Sequence, residues 1–229
     1  MSNFHLTSLH IDNKAYKENT GWSRFYCDDF TFKPGINLLF GGNGQGKSSL
    51  IEFLCAYAGN SFEGEKLKKY CTISYNAGGF KIYSFSNSKN NQRYNRDIDS
   101  LFGLQRHWDS NHQSEGQTVM QTVSDFLYFL NNLDAEERAV VLIDEVDSGL
   151  DAIACQHIVR RIKKIVKEKP NLQLFLAFNQ YEMSLLDKSW INICTGQIEE
   201  CPKTYKEYID RLKKLKKEHK RKVDSYVKE

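Results

Sequence analysis

Ile36-Asn37-Leu38-Leu39-Phe40-Gly41-Gly42-Asn43-Gly44-Gln45-Gly46-Lys47-Ser48 is the stretch that decides the fold. Its first five residues read as a short buried strand, and the strand runs without a break into Gly-x-x-x-x-Gly-Lys-Ser. From Ser48 to Ala58, residues Leu50, Ile51, Leu54 and Ala58 share one face of a helix. Glycines at Gly41, Gly42, Gly44 and Gly46 let backbone N–H groups wrap around phosphate without side-chain obstruction. The helix that follows offers its positive end to the same anion. Asn43, Gln45 and Ser49 complete the expected cradle, Lys47 is placed for the β- and γ-phosphates, and the Ser48 hydroxyl for magnesium. A plain glycine turn between a strand and a helix would not need this spacing and this order together.

Such a loop needs a carboxylate from a neighbouring strand. Ala139 to Ile143 is a nearly continuous apolar run, as expected of a central strand covered on both faces, and it ends in Asp144-Glu145. Asp144 is read as the second magnesium contact and Glu145 as the group that polarises a water against the γ-phosphate.

The rest of the chain supports one core with appendages: 229 residues, 40% hydrophobic and 27% charged. Strands are expected at Phe4 to Ile11 and Arg24 to Phe32, with a polar loop between them that includes Gly21 and Trp22. Tyr70 to Tyr75 and Phe80 to Phe85 flank Asn76-Ala77-Gly78-Gly79 and read as an antiparallel hairpin, with a polar loop from Ser86 to Arg96. Val119, Val123, Phe126, Leu127, Leu130 and Leu133 mark a helix. A helix from about Asp151 to Lys167, a buried strand at Leu172 to Phe178, and strands near Trp190 to Cys194 and Gln197 to Glu199 follow. The reading is an α/β fold with a mixed, largely parallel central sheet flanked by helices and antiparallel strands at the N-terminus.

Six scattered cysteines form no Cys-x-x-Cys pair, and His107 and His112 have no companions at ligand spacing, so no zinc site or disulfide framework is expected. No apolar run is long enough to span a membrane and Met1 to Leu9 lacks a secretory pattern, so the cytoplasm is expected, with no direct membrane insertion. Residues 203–229 hold eleven Lys or Arg against five Asp or Glu, and the remainder of the chain is slightly acidic. This tail reads as a basic helix from Tyr205 to about Lys228 that suits a nucleic acid or protein partner, or is simply solvated. The expected division is therefore 1–202 and 203–229.

Asp144-Glu145-Val146-Asp147-Ser148-Gly149-Leu150-Asp151 resembles the Walker B acids and D-loop of the ATP-binding cassette (ABC) ATPases, usually Asp-Glu-Pro-x-x-x-Leu-Asp. The resemblance implies a P-loop NTPase fold, ATP with magnesium, and a homodimer that sandwiches two ATP molecules, with Ser148 and Asp151 near the dimer boundary. Asp151 also suits a helix N-terminus. Gln113-Ser114-Glu115-Gly116-Gln117 resembles the family's signature loop at Ser114, Gly116 and Gln117, which implies that Ser114 reaches the partner's γ-phosphate. Ser-x-x-Gln before an apolar helix is also a capping box. For the family's Q-loop, which contacts the metal, Gln92 is the candidate and Gln105 the alternative. Where the family expects a switch histidine the chain has Asn179, which hydrogen-bonds but does not titrate near neutrality, so slow or partner-stimulated hydrolysis is expected.

Only 67 positions separate Lys47 from Ser114, which is short for the helical subdomain of a transporter cassette. The opening, Leu6 to Ile11 and then Phe30 to Asn37, looks more like the soluble chromosome-maintenance and RecF group, as a head domain without its coiled coil. That likeness implies nucleic-acid maintenance or defence. The alternatives are the energy subunit of a membrane transporter, or a nucleotide-gated binding module with slow hydrolysis. Tyr16, Trp22 and Tyr26 are candidates for stacking on adenine, or core aromatics.

Overall fold

Two sheets share the chain, and the strand before the glycine-rich loop sits at the centre of the larger one. The computed structural model describes residues 5–20, 25–58, 68–87 and 114–226. In order these form β1 (Leu6–Ile11), α1 (Asn13–Thr20), β2 (Asp29–Thr31), β3 (Ile36–Phe40), α2 (Lys47–Ala58), β4 (Cys71–Tyr75) and β5 (Lys81–Ser86). After these come α3 (Glu115–Asn131), β6 (Ala139–Asp144), α4 (Ala152–Glu168), β7 (Leu172–Ala177), α5 (Tyr181–Ser184), β8 (Ser189–Asn192), β9 (Ile198–Glu200) and α6 (Tyr205–Tyr226).

The larger sheet runs β5-β6-β7-β3-β8-β9, parallel except for the last pair. Every residue of β3, β6 and β7 is buried, as strands covered on both faces require. Alternation sends Leu38, Phe40, Val141, Ile143, Leu174 and Leu176 to one face, where they meet α3, α4 and the first half of α6. Leu39, Val140, Leu142, Phe175 and Ala177 face the other way, onto α2 and the small antiparallel sheet β2-β1-β4. The α/β architecture expected from the sequence is the one observed.

Two local expectations are corrected. Cys71–Tyr75 and Lys81–Ser86 do not form a hairpin: β4 lies antiparallel to β1, with Leu9 opposite Ile73, and β5 lies parallel to β6, with Phe85 opposite Ile143. Asn76 to Gly79 is therefore a crossover between sheets. β5 satisfies the edge of β6 and packs Tyr83 and Phe85 on Phe129 and Phe126 of α3, each pair with ring centroids 5.1 Å apart. The polar segment after β1 is not all loop either. Asp12 accepts a 2.8 Å bond from the Ala15 N–H and starts α1, which buries Tyr16 edge-on against Tyr70. That contact makes Tyr16 a core aromatic. Gly21, Trp22 and residues 88–96 lie outside the described residues.

One buried side chain joins the two sheets. Gln173, the second residue of β7, accepts from the Leu6 N–H (2.7 Å) and donates to the Leu6 and Lys33 carbonyls (2.9 Å each). It is fully buried and extends the hydrogen-bonding of β1 into the larger sheet. Gln173→Leu would strand these backbone groups out of water, at about 1–3 kcal/mol for each unsatisfied group. The expected result is a thermal midpoint lower by roughly 5 °C or more, measured by circular dichroism, since about 2–4 °C follows each kcal/mol at this chain length. An unchanged midpoint would show that the small sheet is held by its apolar contacts alone.

Candidate functional site

The parallel register sets the site. Leu39 pairs with Ala177, and Ala177 pairs with Asp144, so the exits of β3, β6 and β7 lie at one edge of the sheet. That edge is where an open α/β sheet leaves a crevice. A cleft of about 290 Å³ opens there, lined by Gly42, Asn43, Gly44, Gly46, Lys47, Ser48, Ser49, Asp144, Glu145 and Asn179, with Ala177 and Phe178 behind them. Most of the residues expected to cradle phosphate thus meet those that follow β6 and β7, whereas Gly41 and Gln45 do not line the cleft.

Within the loop, Gly44 and Gly46 have φ of 76° and 97°, a region that costs a side chain but not glycine. Lys47 is buried at the first turn of α2, and its Nζ donates to the carbonyls of Gly41 (2.8 Å) and Gly42 (3.3 Å). Burial pushes its ammonium below the usual lysine range, while Asp147, Asp144 and Glu145 pull it back. Gln45 points away from the cleft. It accepts from the Gly42 N–H and donates through Nε2 to the Leu215 carbonyl of α6 at 3.2 Å, so it fastens the loop to the C-terminal helix.

Ser48 Oγ donates to Asp144 Oδ1 at 3.1 Å, which closes the expected pair across 96 positions of sequence. Burial pushes the Asp144 carboxyl up to about 6, Ser48 lowers it, and the negative charges of Glu145 and Glu52 raise it. A buried carboxylate and a hydroxyl this close form a hard oxygen pair whose charge is undercompensated, which fits a small divalent cation completed by phosphate and water. Glu145 follows directly and is the sole residue other than glycine with a positive φ among the described residues, at 53°. Backbone strain is thus placed on the candidate base itself.

Asp147 has no role in the sequence reading, although it is the third acid in the four positions 144–147. Its side chain is buried; Oδ2 accepts from the Asn179 N–H (2.7 Å) and the Gln180 N–H (2.6 Å), and Oδ1 has no partner. Gln180 answers by donating Nε2 to the carbonyls of Asp147 (2.8 Å) and Leu150 (2.6 Å). The 147–150 loop and the end of β7 are therefore one hydrogen-bonded unit. Asn179 keeps its side chain exposed at the cleft.

The remaining expected residues occupy a second surface. Ser114 caps α3 in a capping box with Gln117: its Oγ accepts from the Gln117 N–H at 3.3 Å, and Gln117 Oε1 accepts from the Ser114 N–H at 2.9 Å. Gly116 packs so closely on the 147–150 loop that a Cβ there would stand 3.0 Å from the Gly149 carbonyl. Asp151 caps α4 through a 2.8 Å bond from the Ala154 N–H. Ser114, Gly116 and Asp151 are thus neighbours of one another's loops but do not line the cleft of their own chain. Gln92 and its alternative Gln105 lie outside the described residues, as do Trp22, His107 and His112.

A strand, a glycine-rich loop with its lysine inside, a helix, and a serine bonded to a carboxylate from a neighbouring strand define a P-loop nucleotide-binding fold. The family model of the AAA domain matches residues 21–229, and the chain belongs to that family. It is an ATPase domain by family, with ATP as the implied nucleotide. Among solved structures, Stu0660 of Streptococcus thermophilus is similar at 13% identity and a TM-score of 0.50, over 86% of this chain and 76% of that one. cbiO1 from Clostridium perfringens, part of the ABC transporter complex cbiONQ, matches at 15% identity and a TM-score of 0.48 over 89% and 91%. An inward-facing metal-chelate type ABC transporter matches at 14% and 0.42 over 87% and 82%. Only the first bears on the fold, and it bears on nothing else. No curated protein matches the chain. No helix among the described residues is long and apolar enough to cross a membrane.

The raised Asp144 carboxyl gives a stability prediction. A carboxyl whose folded value lies above its unfolded one opposes folding once it ionises, so the penalty is absent below the unfolded value, grows as pH rises to about 6, and is complete above it. Asp144→Asn keeps an acceptor for Ser48 and removes that charge. At pH 7.5 without nucleotide it should be more stable by about 1–3 kcal/mol, read as a higher thermal midpoint, and at pH 4 the gain should shrink. A variant less stable than its parent at both pH values would contradict the buried, uncompensated carboxylate.

Proposed function

We propose that this chain hydrolyses ATP with magnesium as an ATP-sandwiched homodimer of the ABC type, and that it acts on nucleic acid in maintenance or defence. The observation that carries the reading is the separation of two surfaces. Lys47, Ser48, Asp144, Glu145 and Asn179 converge on one cleft, while Ser114, Gly116, Ser148 and Asp151 gather on another that leaves that cleft alone. A site split in this way is complete only when a second copy presents its Ser114 surface to the first copy's cleft.

In the cleft, Lys47 exchanges the Gly41 and Gly42 carbonyls for phosphate oxygens, which relieves a buried ammonium of its weak partners. Loop N–H groups and the start of α2 hold the remaining phosphate charge. Ser48 and Asp144 would hold magnesium, which would neutralise phosphate charge. Glu145 accepts the proton of the attacking water, and its fixed backbone turn limits where the carboxylate points. Asn179 donates its amide N–H to the γ-phosphate, and Ser114 of the partner subunit closes the far side. The amide holds charge without exchanging a proton, which accords with slow turnover.

Support for an anionic partner lies in how α6 docks. Tyr208 and Leu215 are buried in the core, whereas Lys213, Lys214, Lys216 and Lys217 remain exposed. The helix thus spends its apolar side on the domain and leaves a row of ammonium groups for phosphates.

Glu145→Gln keeps the shape of the site and removes the base. With ATP and magnesium it should form a stable dimer by light scattering, retain ATP binding, and lose turnover by about 100-fold or more. The trapped dimer should bind duplex DNA in a salt-sensitive way, with affinity about 10-fold lower when Lys213→Glu and Lys217→Glu are added. A monomer at saturating ATP would remove the sandwich, and DNA affinity indifferent to the two lysines would remove the nucleic-acid surface.

A further inference from the structure

Helix α6 does more than present lysines, because it is bonded both to Asn179, which lines the cleft, and to Gln45 of the phosphate loop. Tyr208, in its first turn, is buried and donates its hydroxyl to the Asn179 carbonyl at 2.8 Å. At the preceding peptide of the same residue, Asp147 Oδ2 takes the Asn179 N–H at 2.7 Å. Asn179 is therefore pinned at both its backbone groups by two buried side chains, from the 147–150 loop and from α6, while its own amide stays exposed at the cleft. Burial drives the Tyr208 hydroxyl well above its ordinary range, so it is a permanent donor at any physiological pH.

The second attachment of α6 lies about two turns further along. The Leu215 carbonyl accepts from Gln45 Nε2 at 3.2 Å, and Gln45 Oε1 in turn holds the Gly42 N–H of the phosphate loop. Between the two attachments the helix rests on an aromatic floor. Phe40, the last residue before the loop, stacks on Trp190 at 3.6 Å, Tyr208 packs on both rings, and the Arg211 guanidinium lies 5.4 Å above Trp190. A shift of Asn179 toward a γ-phosphate would therefore be felt at Tyr208, and a shift of the loop at Leu215 of the same helix.

We propose that Tyr208 is a positioning residue for ATP recognition and hydrolysis: through its bond to Asn179, helix α6 fixes the amide that distinguishes ATP from ADP, and the C-terminal helix is thereby part of the nucleotide site. The proposal rests on the assignment of Asn179 to the γ-phosphate made above. Tyr208 itself touches no nucleotide and acts only through Asn179.

Tyr208→Phe in the full chain tests it, because the ring and its packing stay while the hydroxyl goes. Calorimetric ADP affinity should be unchanged within about 2-fold, the preference for ATP over ADP should fall about 5-fold, and kcat should fall about 10-fold with KM for ATP changing far less. In an Asn179→Ala background, which has already lost the amide, adding Tyr208→Phe should change neither quantity by more than about 2-fold, since residues that act through one another are not additive. The proposal is overturned if Tyr208→Phe keeps the parent's ATP preference and kcat. It is equally overturned if the change costs the same factor with and without Asn179, which would mark a structural role. A parent chain that binds ATP but never hydrolyses it would sink the proposed activity instead, and the ATP-to-ADP ratio would still decide the role of Tyr208.

Discussion

The parallel pairing of β3, β7 and β6 is the constraint on which the rest depends. Because Leu39, Ala177 and Asp144 share one level of the sheet, the chain leaves three neighbouring strands at the same edge, and the candidate site lies there. Parallel strands of this kind survive only when both faces are covered. The covering is visible on one side in α2 and the small antiparallel sheet, and on the other in α3, α4 and α6. A one-residue slip of β6 against β7 would turn Asp144 from the cleft to the opposite face and break the bond to Ser48 at once.

The site itself opposes folding. A lysine and two carboxylates are taken out of water, one carboxylate oxygen of Asp147 is left without a partner, and Glu145 is held at positive φ. Such groups persist because the surrounding strands over-determine their positions. The charges attract one another only in part, since burial outweighs every opposing charge at Lys47 and every stabilising contact at Asp144. A polyphosphate with its cation meets both kinds of group with opposite charge, and in that sense the cleft is built around its ligand.

Much of this was legible in the sequence, for a physical reason. Gly41 to Ser48 and Ala139 to Glu145 carry chemistry that few residue types supply, and the strands that hold them are too apolar to be anything but central. The sequence suggests a hairpin from Tyr70 to Phe85 because the turn signal at Asn76 to Gly79 is local, whereas the true partners of the two strands lie about sixty positions away in each direction. Helix α1 escaped notice because it buries little besides Tyr16 and shows no apolar stripe. The docking of α6 was only half visible. Leu215 is an apolar residue among lysines, but the bonds that matter, a hydroxyl from Tyr208 and a backbone carbonyl bound by Gln45, leave no periodic trace. Of the two readings of Ser114, the structure displays the cap, and the residue is exposed as well.

The central claim is that each ATP site needs two copies of the chain, and mixing inactive variants tests it most directly. Lys47→Ala should disable a chain's own cleft, and Ser114→Arg should disable only the cleft of its partner, so each variant alone should lack ATPase activity. Mixed in equal amounts, they should form dimers in which the intact Lys47 of one copy meets the intact Ser114 of the other. The account predicts recovery of about a quarter of the parent's rate, from one whole site in about half of the dimers. No recovery, with mixed dimers confirmed by native mass spectrometry, would show that Ser114 serves its own chain or no nucleotide at all.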